Sequence, residues 1–152
     1  MCTAHAQTQY RFVGFNTKDG LSQNSVHCIF QDRDGLLWIG TQDGLNSFDG
    51  RKFRVYKCNP KDTTTISDQF VLSIEEDALG FLWVGTRSGL NKLDKRTGKF
   101  TRYYFSAAER TGLYRNYQII IRDRQSNLFI QHTYPVFINT QGQMIQADTG
   151  LR

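Results

Sequence analysis

Gln31-Asp32-Arg33-Asp34-Gly35-Leu36-Leu37-Trp38-Ile39-Gly40-Thr41-Gln42-Asp43-Gly44-Leu45-Asn46-Ser47-Phe48-Asp49 returns 45 residues later as Glu76-Asp77-Ala78-Leu79-Gly80-Phe81-Leu82-Trp83-Val84-Gly85-Thr86-Arg87-Ser88-Gly89-Leu90-Asn91-Lys92-Leu93-Asp94. A period of about 40 to 50 residues belongs to propeller blades and to some helical arrays. Local patterning separates the two. Val26 to Phe30 and Val71 to Ile74 are rich in β-formers, turn at Arg33-Asp34-Gly35 or Ala78-Leu79-Gly80, and continue into Leu-Trp-Ile/Val-Gly-Thr, as a hairpin does. A second hairpin turns at Gln42-Asp43-Gly44 or Arg87-Ser88-Gly89 and closes with Phe53 to Tyr56 or Phe100 to Tyr103. No apolar stripe of period 3.6 is long enough for a helical repeat. The reading is all-β, with four short antiparallel strands per repeat forming one propeller blade.

Each repeated residue has a task in that geometry. Trp38 and Trp83 fill the wedge between neighbouring blades, where one flat side chain buries about 200 Å². Gly40 and Gly85 leave room for close approach of backbone or of a neighbouring aromatic, and Gly35, Gly44, Gly80 and Gly89 serve the turns. Asp32 and Asp77 are placed to accept backbone N–H groups in the turns they begin. An eroded third copy follows, in which Asp123, Leu128, Phe129 and Ile130 match Asp77, Leu82, Trp83 and Val84, while Gln131 and His132 replace the Gly-Thr pair.

Working outward, residues 10–25 form a lead-in in which Tyr10 to Phe15 resembles the last strand of a repeat, as if to close a ring. Residues 26–57 and 70–105 make two blades and 117–148 a degenerate third. The 152 residues therefore supply about three blades, whereas closed rings need about 4 to 8, so 10–152 reads as part of a larger ring. Residues 1–9 contain Ala4-His5-Ala6, a small-x-small pattern that ends secretory signals, without the apolar stretch that precedes it. They read as a signal-peptide remnant, implying export, or as a disordered N-terminus.

Composition removes several function classes. Apolar runs such as Gln118 to Ile121 fall far below the roughly 18 residues of a membrane helix. The 19 Lys and Arg exceed the 14 Asp and Glu, yet they are scattered, without the basic run or helix that nucleic acid demands. Cys2, Cys28 and Cys58 have no metal-ligand spacing with His5, His27 or His132. Asp32-Arg33-Asp34-Gly35 superficially resembles the start of a calcium loop, but its second copy, Asp77-Ala78-Leu79-Gly80, has lost a ligand, so turn formation is the better reading. His27 takes the slot of Leu72 and reads as a packed strand histidine. Neither a nucleophile setting nor a phosphate loop is present, and no metal or cofactor is expected.

The paired stretches above, each followed by Gly-Leu-Asn and then Asp49 or Asp94, resemble the two-component regulator propeller repeat, and Asp19-Gly20-Leu21-Ser22-Gln23-Asn24-Ser25-Val26 is similar to the segment opening the periplasmic sensor of hybrid two-component systems. The resemblance implies seven-bladed rings outside the inner membrane, coupled in the parent chain to a histidine kinase, a receiver and a DNA-binding domain, in a sensor that works as a homodimer. It also implies an oligosaccharide ligand and control of glycan-utilisation genes, with the remaining blades of the parent as partners and no enzymatic role for this segment.

Propeller topology gathers on one face the loops between second and third strands and the connections to the next blade. That face would present Asn24, Gln42, Asp43, Gln69, Arg87, Ser88, His132 and Tyr134. Amide, carboxylate and guanidinium groups beside aromatic faces are what sugars bind, and an acidic sugar would favour Arg87. Two alternatives stand beside this reading: a propeller lyase of the streptogramin-lyase kind, which would need His132 as its catalytic group, and a structural module for protein contacts.

Overall fold

The computed structural model describes residues 11–104, 119–131 and 136–146. Among them lie three four-stranded antiparallel sheets. The first comprises β1 (Val26–Gln31), β2 (Leu37–Thr41), β3 (Gly44–Phe48) and β4 (Phe53–Tyr56). The second holds β5 (Val71–Glu76), β6 (Leu82–Thr86), β7 (Gly89–Asp94) and β8 (Lys99–Tyr103), and the third β9 (Ile119–Arg122), β10 (Leu128–Gln131), β11 (Val136–Ile138) and β12 (Met144–Gln146). Every sheet runs in sequence order, each strand paired with the next. Neighbouring sheets meet through their first strands, β1 against β5 and β5 against β9, which puts the first strand of each blade on the inner side and the fourth on the rim, as in a propeller.

The wedge between blades is apolar and closely filled. Trp38 and Leu45 of the first blade are buried against Val71, Ile74, Leu82, Val84, Leu93 and Phe100 of the second, with Ile66 from the connection. Trp83 and Leu90 repeat the arrangement against Ile120, Leu128, Ile130, Val136 and Ile138 of the third. Both indoles are about 1% exposed, and each lies against the tyrosine ending its own blade, Trp38 at 5.7 Å from Tyr56 and Trp83 at 5.3 Å from Tyr103. The space at Gly40 is filled by aliphatic and sulfur groups rather than an aromatic. A Cβ there would stand 2.5 Å from both Cys28 Sγ and Val71 Cγ1, since β5 of the next blade presses on this point.

Asp32 and Asp77 hold their turns in the same way. Asp32 Oδ1 accepts the Asp34 and Leu36 N–H groups while Oδ2 accepts Trp38 Nε1 at 2.8 Å; Asp77 does the same for Leu79, Phe81 and Trp83. One carboxylate thus fixes both the turn and the wedge indole. The eroded third copy keeps the four-stranded sheet and changes the donor: Asp123 Oδ1 accepts Gln125 and Asn127 N–H groups, and Oδ2 takes Asn127 Nδ2 at 2.8 Å. Phe129 lacks an indole N–H, so the proton comes from the turn instead. A second repeated node joins each lead-in to its blade: Ser22 N–H donates to Asn46 Oδ1 and its hydroxyl bonds Thr41 Oγ1, matched by Ser67 with Asn91 and Thr86.

Two expectations are corrected. Arg11 to Phe15 forms no strand and pairs with none of the three sheets; the last blade of a full ring, which it is expected to close, is not among them. Phe15 packs instead on Phe48 and Phe53 at 4.9 and 5.7 Å, while Tyr10 lies outside the described residues. His27 is exposed rather than buried in the strand's core face, its ring lying against Phe70 of the next connection. The β1–β2 ladder shifts between Val26 and Cys28, as the β5–β6 ladder does between Val71 and Ser73. The residue left over in such a bulge is turned out of the pleat.

Candidate functional site

The second turn of each blade and the following connection lie together on the upper face. Gly44 N–H donates to the Gln69 carbonyl at 2.7 Å, and Arg87 N–H to the Phe70 carbonyl at 3.1 Å. Gln42, Asp43, Gln69, Arg87 and Ser88 therefore share one continuous strip at the seam of the first two blades. Asn24 holds the position of Gln69 one blade earlier, where its Oδ1 accepts the Thr17 N–H at 3.1 Å. His132 and Tyr134 lie outside the described residues, and so does any test of His132 as a catalytic group.

Several of these groups are already engaged. Asp43 Oδ2 binds Lys57 Nζ at 2.6 Å, and Ser88 Oγ donates to Asp68 Oδ2 at 2.6 Å. Asp68 Oδ1 also accepts the Phe70 N–H at 2.8 Å, which fixes the connection. Arg87 is different: its guanidinium carbon lies 3.9 Å from the centroid of the Phe70 ring, and its Nε is buried without a hydrogen-bond partner among the described residues. The same ring carries the His27 imidazole, stacked at 4.7 Å with 26° between planes. Sequence reading named Arg87 but missed Phe70 and His27. The signal available was that Phe70 replaces Ser25, and Arg87 replaces Gln42, between copies otherwise in register.

The opposite face carries a charged lock between blades. Lys95 Nζ lies 3.0 Å from Asp32 Oδ2, 2.7 Å from Asp34 Oδ2 and 2.8 Å from Glu76 Oε1. Those three carboxylates have oxygens within 4.8 Å of one another, and the ammonium occupies the place a cation would take. Burial pushes the Lys95 pKa down, but its bonds to Asp34, Glu76 and Asp32 outweigh burial and hold it well above the usual lysine range. Arg33 adds a contact to Glu76 Oε1 at 3.1 Å and a bond to the Ala78 carbonyl at 3.2 Å. These residues join blades and leave no open chemistry. Burial pushes the Cys28 thiol up to about 12, so it is an inert, packed thiol rather than a nucleophile.

The two-component regulator propeller family matches residues 20–43 and 65–88, the span from lead-in to second turn in each full blade. A histidine kinase of Formosa agariphila is 53% identical over 60 residues, 40% of this chain and 4% of that protein. The extracellular domain of a hybrid two-component system of B. thetaiotaomicron superposes with a TM-score of 0.70 at 26% identity, covering 88% of this chain and 19% of that one. Virginiamycin B lyase of Staphylococcus aureus superposes with a TM-score of 0.58 at 16% identity, over 83% of this chain and 42% of that one, a likeness of fold alone. The chain thus spans a small fraction of the sensor proteins it matches. The aspartate–indole bond, the serine–asparagine node and the bulge all recur at the repeat offset, so the chain carries two copies of the two-component regulator propeller repeat, in blades similar to those of the extracellular domains of hybrid two-component systems.

Proposed function

We propose that this chain is a ligand-sensing segment of the periplasmic part of a hybrid two-component sensor kinase, and that its upper face binds an oligosaccharide whose arrival switches glycan-utilisation genes. The remaining blades of the parent chain complete the ring, and the full sensor acts as a homodimer. The observation that carries this reading is the Phe70, Arg87 and His27 cluster. Scaffold residues repeat from blade to blade, whereas this group is absent from the first blade and lies on the face where loops gather, where a half-buried ring and cation suit a sugar. No helix among the described residues is long and apolar enough to cross a membrane, so transmission to a kinase is assigned to other parts of the parent.

Calorimetric screening of the chain against oligosaccharides tests the proposal. Binding by at least one saccharide, weakened about tenfold or more by Arg87→Ala, is the expected result. A screen without binding, or an affinity indifferent to that substitution, would remove the upper face as the sensing site.

A further inference from the structure

We infer that the upper-face seam between the first two blades is an anion-selective subsite, in which Arg87, stacked on Phe70 and accompanied by His27, receives a carboxylate or sulfate group carried by an acidic saccharide. The inference rests on the proposal that this face binds a saccharide and names the chemical class it takes.

The argument begins with unused donors. Arg102 gives its guanidinium to the carbonyls of Asn59, Asp62, Thr65 and Ile66 and to Thr65 Oγ1. Arg33 is spent on Glu76 and the Asp77 and Ala78 carbonyls. Among the described residues Arg87 has no such partner: its guanidinium stacks on a ring face and its Nε is buried without a hydrogen bond. Stacking occupies the face of the guanidinium and leaves its in-plane terminal N–H groups free, in the fork geometry that meets an oxyanion with two parallel bonds.

Nearby acids do not supply the missing counterion. Asp68 is taken by Ser88 and the Phe70 N–H, and Asp43 by Lys57. A half-buried cation without a paired acid is costly unless a ligand completes it. The cation is also held in place before any ligand arrives. The backbone bond from Arg87 to Phe70 and the side-chain bond from Ser88 to Asp68 pin both sides of the turn, so little ordering remains to be done on binding. His27, turned outward by the bulge onto the same ring, adds an N–H donor in either protonation state.

None of this recurs in the first blade. Ser25 stands where Phe70 does, Gln42 where Arg87 does, and Asp43 and Gln23 replace Ser88 and Asp68. The cluster is therefore not required for building a blade, which removes the simplest structural explanation.

The test is titration calorimetry of the chain with a glucuronate-containing tetrasaccharide and its carboxyl-reduced form, and with a sulfated tetrasaccharide and its desulfated form. Inorganic sulfate serves as the sugar-free arm. At least one acidic member of the pairs should bind about 10- to 100-fold more tightly than its neutral counterpart. Arg87→Gln should abolish that preference, Arg87→Lys should restore only part of it, and His27→Gln should weaken acidic binding severalfold. Competition by inorganic sulfate would show the anion to be recognised apart from the sugar ring. Equal affinity within each pair overturns the anion subsite while leaving saccharide sensing intact. Absence of binding by all four saccharides overturns both. A preference for the acidic form that survives Arg87→Gln places the anion elsewhere and also overturns the inference.

Discussion

Asp32 connects three levels of organisation through two oxygens: the turn between β1 and β2, the indole of the wedge, and Lys95 of the next blade. Burial alone would raise its pKa, but bonds from Trp38, Lys95 and the Leu36 N–H hold it below the usual aspartate range. A depressed folded value means stability that is present above the unfolded pKa of about 3.9 and is lost as pH falls through the folded value. Thermal melts between pH 7 and pH 3 should therefore show a loss in the acid range that is smaller in Asp32→Asn. A parallel acid profile in the variant would contradict this. Asp32→Ala, which leaves Trp38 Nε1 buried without an acceptor, should cost about 1–3 kcal/mol in chemical denaturation. The turn role of Asp32 was legible from the sequence, because the residue begins a glycine turn twice. Its bond to the indole was not, since that depends on how the hairpin closes over the wedge. In the third blade the donor has moved from the wedge side chain to Asn127, a substitution that makes sense only once both partners of Asp123 are in view.

At the level of the element, strands and turns followed from period and composition, and the strands of the first two blades keep the expected boundaries to within one or two residues. The bulges at His27 and Leu72 did not follow. They are departures in pairing, invisible to a pattern of alternating residues, and the first of them decides where His27 points. Nor did the sequence reveal the lock between blades, because Lys95 and Asp32 are distant in the chain and are joined only by blade packing. The lock is specific to one seam. Where the second blade has Glu76, the third has Arg122, which approaches Glu75 Oε2 at 3.6 Å instead. Lys95→Ala should destabilise the chain by about 2 kcal/mol, less than the loss of a fully buried pair because Asp34 stays in water. Adding Arg33→Ala should cost more than the sum of the single substitutions, since either cation alone still serves the buried Glu76 and the double loss leaves it unpaired. Strict additivity in the double-mutant cycle would show that the two contacts do not act together.

For the whole molecule the interior faces of the three blades are satisfied and the two outer faces are not. On the first blade Ile29, in the position that Ile74 holds in the second, is 65% exposed. On the third, Ile121, Phe129, Phe137 and Ile145 pair across all four strands in one row, and Phe129 is 46% exposed where its counterpart Trp83 is buried. Two apolar faces of this kind would be matched by further blades in the larger ring proposed above, and on their own they invite association. Sedimentation of the 152-residue chain should show oligomers that grow with concentration, reduced by Phe129→Lys. A monodisperse monomer at high concentration would contradict the expectation. Among the described residues Arg54 and Lys92 also lie over rings without a salt bridge; what sets Arg87 apart there is a buried Nε with no hydrogen-bond partner.

That contrast between spent and unspent groups is the central claim, and paired measurements on Arg87→Ala and Asp77→Ala test it most directly: unfolding free energy and saccharide affinity, determined on the same preparations. The account predicts that Arg87→Ala keeps its stability to within about 1 kcal/mol, the scale of a lost cation–π contact, while affinity falls tenfold or more. Asp77→Ala should do the reverse, losing about 1–3 kcal/mol of stability with the affinity of its folded fraction unchanged. A large loss of stability in Arg87→Ala with affinity preserved would make the Phe70 cluster one more piece of scaffold and contradict the account.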